Sequence, residues 1–160
     1  MLFRSGGTLW DRVGAGAGVD ESIIRDCART KLSVVAADER DGGLRQVLNL
    51  GHTVAHALET VTGYARLRHG EAVALGLLAA LRLSGADELR EQVRGLLEHA
   101  GLPASIDDID PDAVVAATRR DKKRTGEHVP FVLCEAPGAV RHGAQVAEGD
   151  VRGAVAELVV

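Results

Sequence analysis

The stretch Leu44-Arg45-Gln46-Val47-Leu48-Asn49-Leu50-Gly51-His52-Thr53-Val54-Ala55-His56-Ala57-Leu58-Glu59-Thr60-Val61 decides the fold. Its apolar residues recur at helical spacing and Gly63 follows as a stop, which predicts a helix over roughly 44–62. Arg45, Asn49, His52, His56 and Glu59 are spaced four, three, four and three, so one stripe of that helix carries all five. Much of the remainder is apolar: Leu44, Val47, Leu48, Leu50, Val54, Ala55, Ala57, Leu58 and Val61. A solvated face ordinarily carries Lys and Glu pairs, whereas this stripe holds residues that bind anions, hydroxyls and metals. The plainer alternative, a solvated face with incidental histidines, is weakened by Arg45 and Asn49 standing in line with them.

Working outward, Asp20 is a helix cap with Glu21 in the first turn, and a helix is expected over roughly 21–37. Its apolar stripe is Ile24, Cys27, Ala28, Val34 and Val35, and Lys31 falls within it. Asp38 to Gly43 is a polar loop. After a loop from Tyr64 to Gly70, a helix over roughly 71–84 is apolar nearly all round and is expected to be central. An amphipathic helix over roughly 87–99 follows, with Leu89, Val93, Leu96 and Leu97 on one side. Asp110-Pro111 starts another, running to about Arg120. Val129 to Cys134 and Ala139 to Arg141 form a hairpin around Ala136-Pro137-Gly138, and Asp150 caps a last helix over roughly 151–158. The fold class is mainly α, with one small β-hairpin near the C-terminus.

His69 stands just before the apolar helix, and a tight return over Gly63 to Gly70 would bring it beside His52. Two or three neutral imidazoles suit Zn²⁺ or another divalent ion. The pattern is not HExxH, because Thr53 and Val54 follow His52, so the metalloprotease general base is missing. Arg119 to Arg124 is a basic run whose ordinary reading is a solvated face; its place between a helix and the hairpin also lets a loop fold over a site and hold phosphate. Gly14 to Gly18 lacks a preceding strand and GxGxxG spacing, so it reads as a turn rather than a dinucleotide cradle.

The chain has 160 residues, enough for one ordinary domain. At 46% hydrophobic and a net charge of -4 it is neither disordered nor a dedicated nucleic-acid binder. No apolar run approaches the ~18–20 residues of a membrane span, so no membrane partner is expected. Cys27 and Cys134 fit no metal or disulfide pattern, which makes a reducing cytoplasm the expected compartment. Residues 1–19 are expected to be frayed or non-native. Met1 to Ser5 can be encoded by ATG CTC TTC CGA TCT, which resembles a sequencing-library adapter joined to a gene fragment. Residues 20–160 form the helical domain.

Leu48-Asn49-Leu50-Gly51-His52-Thr53, His56-Ala57-Leu58-Glu59 and His69-Gly70-Glu71-Ala72-Val73-Ala74 resemble the 3-dehydroquinate synthase family of sugar-phosphate cyclases. Lys31 with Val34 to Arg40 and Gly43-Leu44-Arg45, and Arg120 to Lys123 with Phe131-Val132-Leu133, agree with it. The resemblance runs over roughly residues 20 to 157. It implies the helical C-terminal domain of a two-domain enzyme whose N-terminal α/β domain binds NAD. It also implies His52 and His69 as zinc ligands and His56 beside the substrate, assisting proton transfer. Arg45 and Asn49 would bind substrate and Lys31 would reach its polar groups. Lys122 or Lys123 would contact carboxylate or phosphate, and Asp41 stands where the family usually has Glu.

The family reaction turns 3-deoxy-D-arabino-heptulosonate 7-phosphate into 3-dehydroquinate and phosphate in the shikimate pathway. It is a carbon–oxygen lyase reaction that uses NAD and a divalent metal, and the family is commonly dimeric. The third zinc ligand of the family, a Glu, and its NAD-binding segment lie upstream of the matching residues, so the isolated chain is expected to be inactive. Two alternatives stand beside this reading. One is a sister cyclase such as 2-deoxy-scyllo-inosose synthase; the other is a non-catalytic helical module that binds a partner.

Overall fold

The computed structural model describes residues 3, 6–16, 18–40, 43–125 and 130–160, with backbone only for residues 120–125. The elements are helix α1 (Gly7–Gly14), α2 (Glu21–Ala37), a 3-10 helix (Leu44–Asn49), α3 (His52–Val61), α4 (His69–Leu83), α5 (Asp87–His99) and α6 (Pro111–Thr125). Strands β1 (Phe131–Ala136) and β2 (Ala139–Ala144) and helix α7 (Glu148–Ala156) complete the chain. The architecture is mainly α with one antiparallel hairpin near the C-terminus.

α4 is the central helix. Ala72, Leu75, Leu78, Ala79 and Leu81 are fully buried, because α3, α5, α7 and β1 pack around it. The all-round apolar pattern of this segment requires such burial. β1 lays its continuous buried run Phe131–Cys134 on α4, and the Cys134 N–H donates to Ser84 Oγ at 2.9 Å, tying the hairpin to the end of that helix. The C-terminus closes the far side. Ile106 N donates to the Leu158 carbonyl at 2.8 Å, and Val160 N donates to that of Ile106 at 3.1 Å.

The helix expected over 44–62 is broken in two. A 3-10 helix ends at Asn49, and α3 starts at His52. Between them Gly51 adopts φ 81°, a left-handed conformation that favours glycine. It sits against Gly76 of α4. A Cβ on Gly51 would lie 2.7 Å from Leu77 N, and a Cβ on Gly76 would fall on the Gly51 carbonyl oxygen. Two glycines are therefore what lets the start of α3 touch the backbone of α4, and the five polar residues do not share one helical stripe.

Three further expectations change. The inner face of α2 carries Ile23 and Val34, while Ile24 is 59% and Leu32 66% exposed, and Lys31 is exposed as well. α2 packs mainly on the 3-10 helix, so few neighbours compete for its apolar sides. Asp150 lies inside the first turn of α7 rather than capping it, because the Ala147 carbonyl accepts the N–H groups of Asp150 and Val151. Within the segment read as frayed, α1 forms and buries Leu9, Trp10 packs 5.4 Å from Phe3, and Arg12 reaches Ser22 Oγ and Asp26 on α2. Asp20 caps α2 as the sequence predicts, its carboxylate accepting from Ile23 N at 2.8 Å.

Candidate metal and substrate site

His52 and His56 stand one turn apart on α3, and His69 is the first residue of α4. The return between them is fixed by backbone bonds. Tyr64, at φ 58°, donates its N–H to the Glu59 carbonyl at 2.8 Å. Glu71 then reaches back to accept the Arg68 N–H at 2.7 Å, which sets the first turn of α4 and with it His69. The three rings converge, with centroids 5.5 Å apart for His52 and His69, 5.7 Å for His52 and His56, and 6.1 Å for His56 and His69.

Two of the three rings have a defined protonation pattern. His52 Nδ1 lies 3.2 Å from the Leu50 carbonyl, and His69 Nδ1 lies 3.0 Å from Glu59 Oε1. Both oxygens accept, so each Nδ1 carries a proton, and in the neutral ring it is Nε2 that keeps the lone pair. That is the form in which imidazole binds a metal ion. Among the described residues neither ring nitrogen of His56 has a hydrogen-bond partner. Burial pushes the His52 imidazole below its ordinary range, the nearby His56 and His69 push the same way, and the Leu50 carbonyl opposes them only in part. His52 is therefore neutral at pH 7.

The donor chemistry fits a divalent ion. His56, Glu59 and His69 also form a group of donor atoms within 4.8 Å of one another. Glu59 was visible in the sequence as part of a polar stripe, but its role was not. It is 7% exposed, and its side chain grips His69. Behind His52 lies an apolar cavity of about 310 Å³ walled by Val47, Leu50, Val73, Leu77 and Val93. Its walls account for the desolvation of that ring.

Arg45 and Asn49 are exposed on the 3-10 helix that leads into α3. The start of this helix is held by Asp38, whose Oδ2 accepts from Gly43 N at 3.0 Å and Arg45 N at 2.8 Å. Lys31 lies on the exposed side of α2, and no hydrogen bond or ion pair joins it to the histidines. Asp41 and the side chains of Lys122 and Lys123 lie outside the described residues; the two lysines belong to the last turns of α6. The structure thus brings His52, His56 and His69 together with Glu59, sets Arg45 and Asn49 on the adjoining element, and places Lys31 on the exposed side of the helix that packs on that element.

A family model described as 3-dehydroquinate synthase C-terminal matches residues 11–124. The 3-dehydroquinate synthase of Gloeobacter violaceus (strain ATCC 29082 / PCC 7421) is 47% identical over 131 residues, which cover 78% of this chain and 36% of that protein. That of Synechococcus sp. (strain CC9605) is 43% identical over 132 residues, covering 79% of this chain and 36% of its own length. The chain therefore spans little more than a third of these curated relatives. Among solved structures, ValA (2-epi-5-epi-valiolone synthase) from Streptomyces hygroscopicus subsp. jinggangensis 5008, with NAD+ and Zn2+ bound, matches with a TM-score of 0.77 at 21% identity. The match covers 94% of this chain and 46% of that one, and it shows a shared fold.

Proposed function

Because the chain belongs to the 3-dehydroquinate synthase C-terminal family, we propose that it is the metal- and substrate-binding part of a phosphate-eliminating cyclase. Its substrate would be 3-deoxy-D-arabino-heptulosonate 7-phosphate and its products 3-dehydroquinate and phosphate. The observation that carries this reading is the convergence of three imidazoles, two of them held as Nδ1–H tautomers.

His52 and His69 would hold the divalent ion through Nε2. His56, exposed and with both ring nitrogens free of partners among the described residues, would take and return a proton at the substrate. Arg45 would pair with an anionic group of the substrate, and Asn49 would bond its hydroxyls. Lys31, Asp41, Lys122 and Lys123 would complete the polar lining. When bound, the ion supplies Lewis acidity toward a substrate oxygen and NAD supplies reversible hydride uptake. Since the chain spans 36% of its relatives, most NAD contacts would lie outside the 160 residues, and the chain alone would not turn over. No helix among the described residues is long and apolar enough to cross a membrane. A cytoplasmic homodimer is the proposed state of the whole enzyme.

The test is a chimera that joins this chain to the N-terminal portion of the Gloeobacter relative, assayed for phosphate release with NAD and Zn²⁺. Release that His56→Ala abolishes supports the reading. A folded, zinc-loaded chimera that releases no phosphate from this substrate overturns it. Turnover by the unjoined chain would overturn the part that calls it inactive.

A further inference from the structure

Glu59 is one of two charged residues among those described that are buried; the other is Arg90. A carboxylate removed from water is costly unless it is hydrogen-bonded. The side-chain partner found for Glu59 among the described residues is His69 Nδ1, ten residues on and at the head of the next helix. The Glu59 backbone carbonyl also accepts the Tyr64 N–H at 2.8 Å, in the turn that leads back to His69. One residue therefore anchors the return twice, by its main chain and by its side chain.

The oxygen fixes which nitrogen carries the proton. A carboxylate only accepts, so His69 Nδ1 donates, and in the neutral ring the lone pair is on Nε2, on the far side. His52 is held in the same tautomer by a backbone carbonyl, so the two rings present like atoms. With its carboxylate engaged by Nδ1, Glu59 meets His69 on the side of the ring away from Nε2.

We propose that Glu59 is a positioning residue, not a metal ligand: its carboxylate locks His69 as the Nδ1–H tautomer and aims Nε2 at the site shared with His52. The proposal rests on the metal-site reading above only for the identity of what Nε2 meets. Carboxylates bonded to a ligating imidazole act in this way in metal sites generally, and their loss costs about 10–100-fold in affinity.

The experiment uses the 160-residue chain with ¹⁵N-labelled histidine, at about pH 8.5 where imidazoles are neutral. Ring ¹⁵N shifts report the tautomer without metal. A Zn²⁺ titration gives the affinity, and the spectrum of the loaded protein shows which nitrogen is metallated. The expected result is His69 as Nδ1–H in the wild-type chain and in Glu59→Gln, whose amide oxygen still accepts. In Glu59→Leu a tautomer mixture should appear, with Zn²⁺ affinity about 10–100-fold weaker. Far-UV circular dichroism checks folding, and if the Leu variant fails to fold, the wild-type and Gln spectra still decide. An Nε2–H tautomer in the wild-type chain, or metallation at Nδ1, overturns the proposal. Failure of the wild-type chain to take up Zn²⁺ while His69 is Nδ1–H overturns the metal reading alone and leaves the positioning role standing.

Discussion

Gly76→Ala sets two effects of opposite sign against each other. Position 76 is interior to α4, where alanine is favoured over glycine by about 0.5–1 kcal/mol. Against this stands the α3–α4 contact. A Cβ on Gly76 would fall on the Gly51 carbonyl oxygen and lie 3.0 Å from the Gly51 carbonyl carbon and 3.1 Å from Ala55 N. All three are backbone atoms, so no rotamer change relieves them. Overpacking a rigid site costs about 1–3 kcal/mol, and a clash with backbone alone belongs at the upper end. The displaced carbonyl is also the acceptor for Ala55 N at 3.0 Å, the bond that opens α3. Packing wins, and the net change is a destabilisation of about 2 kcal/mol or more.

The control is Gly95→Ala. Gly95 is interior to α5, and a Cβ there meets nothing within 4 Å, so only the propensity gain of about 0.5–1 kcal/mol remains. Urea unfolding followed by far-UV circular dichroism should show opposite shifts in midpoint for the two variants at equal slope. Because His52 follows Gly51 directly, Gly76→Ala should also weaken Zn²⁺ binding, whereas Gly95→Ala should not. A Gly76→Ala protein as stable as wild type, with the slope unchanged, would refute the claim that this contact is closed to any side chain.

Glu157 accepts from Arg82 Nε at 2.8 Å and from the buried Arg90 at 2.6 Å; the bond to Arg82 leads in holding its carboxyl below the ordinary value of 4.5. The stability it adds is present above that value and is lost as pH falls through the lower folded one. Glu157→Gln should flatten the acid limb of a urea-midpoint profile. At pH 7 the substitution should cost about 1.5 kcal/mol, the low end for a bond to a charged group, because the Glu157 side chain is 41% exposed and screened. Zinc at about 100 times its dissociation constant should stabilise the chain by about 2.7 kcal/mol, an effect that a chelator or His52→Ala removes and His56→Ala largely keeps; equal losses in both histidine variants would count against the assignment of ligands. Ile24→Lys and Leu32→Lys should each change stability by less than about 0.5 kcal/mol while lowering self-association in sedimentation, since both side chains are already in water.

How far the sequence reached depended on the range of the interactions that decide each element. α5 runs from Asp87 to His99 as its periodicity predicts, because acidic residues open it, Gly101 and Pro103 follow it, and one apolar face is enough to seat it. The central place of α4 was legible because no polar face exists to expose. The break at Gly51 was not, since it depends on Gly76, twenty-five residues further on, and nothing in a local window registers a partner at that distance. The same holds for α2. Both of its sides carry apolar residues, and only the neighbours decide that Ile23 is buried and Ile24 is not. The histidines were found by residue type and spacing, but the burial of Glu59 depends on the Tyr64 turn that brings His69 home.

That break shapes the site more than the lost helical stripe suggests. In one continuous helix Arg45 would stand about 10 Å along the axis from His52, on the same line and facing the same neighbours. With Gly51 turning the chain, the residues divide by environment. His52 meets an apolar wall and is fixed from the inner side by the Leu50 carbonyl, as His69 is by Glu59. Arg45 and Asn49 remain exposed on an element anchored through its backbone by Asp38, so their side chains are not spent on holding the fold. Metal binding needs neutral, aimed nitrogens in a partly dry setting, and binding an anionic substrate needs charged groups still free to close on it. One left-handed glycine separates the two requirements, and substitution at Gly51 or Gly76 should therefore disturb both, though neither glycine has a side chain to offer either one.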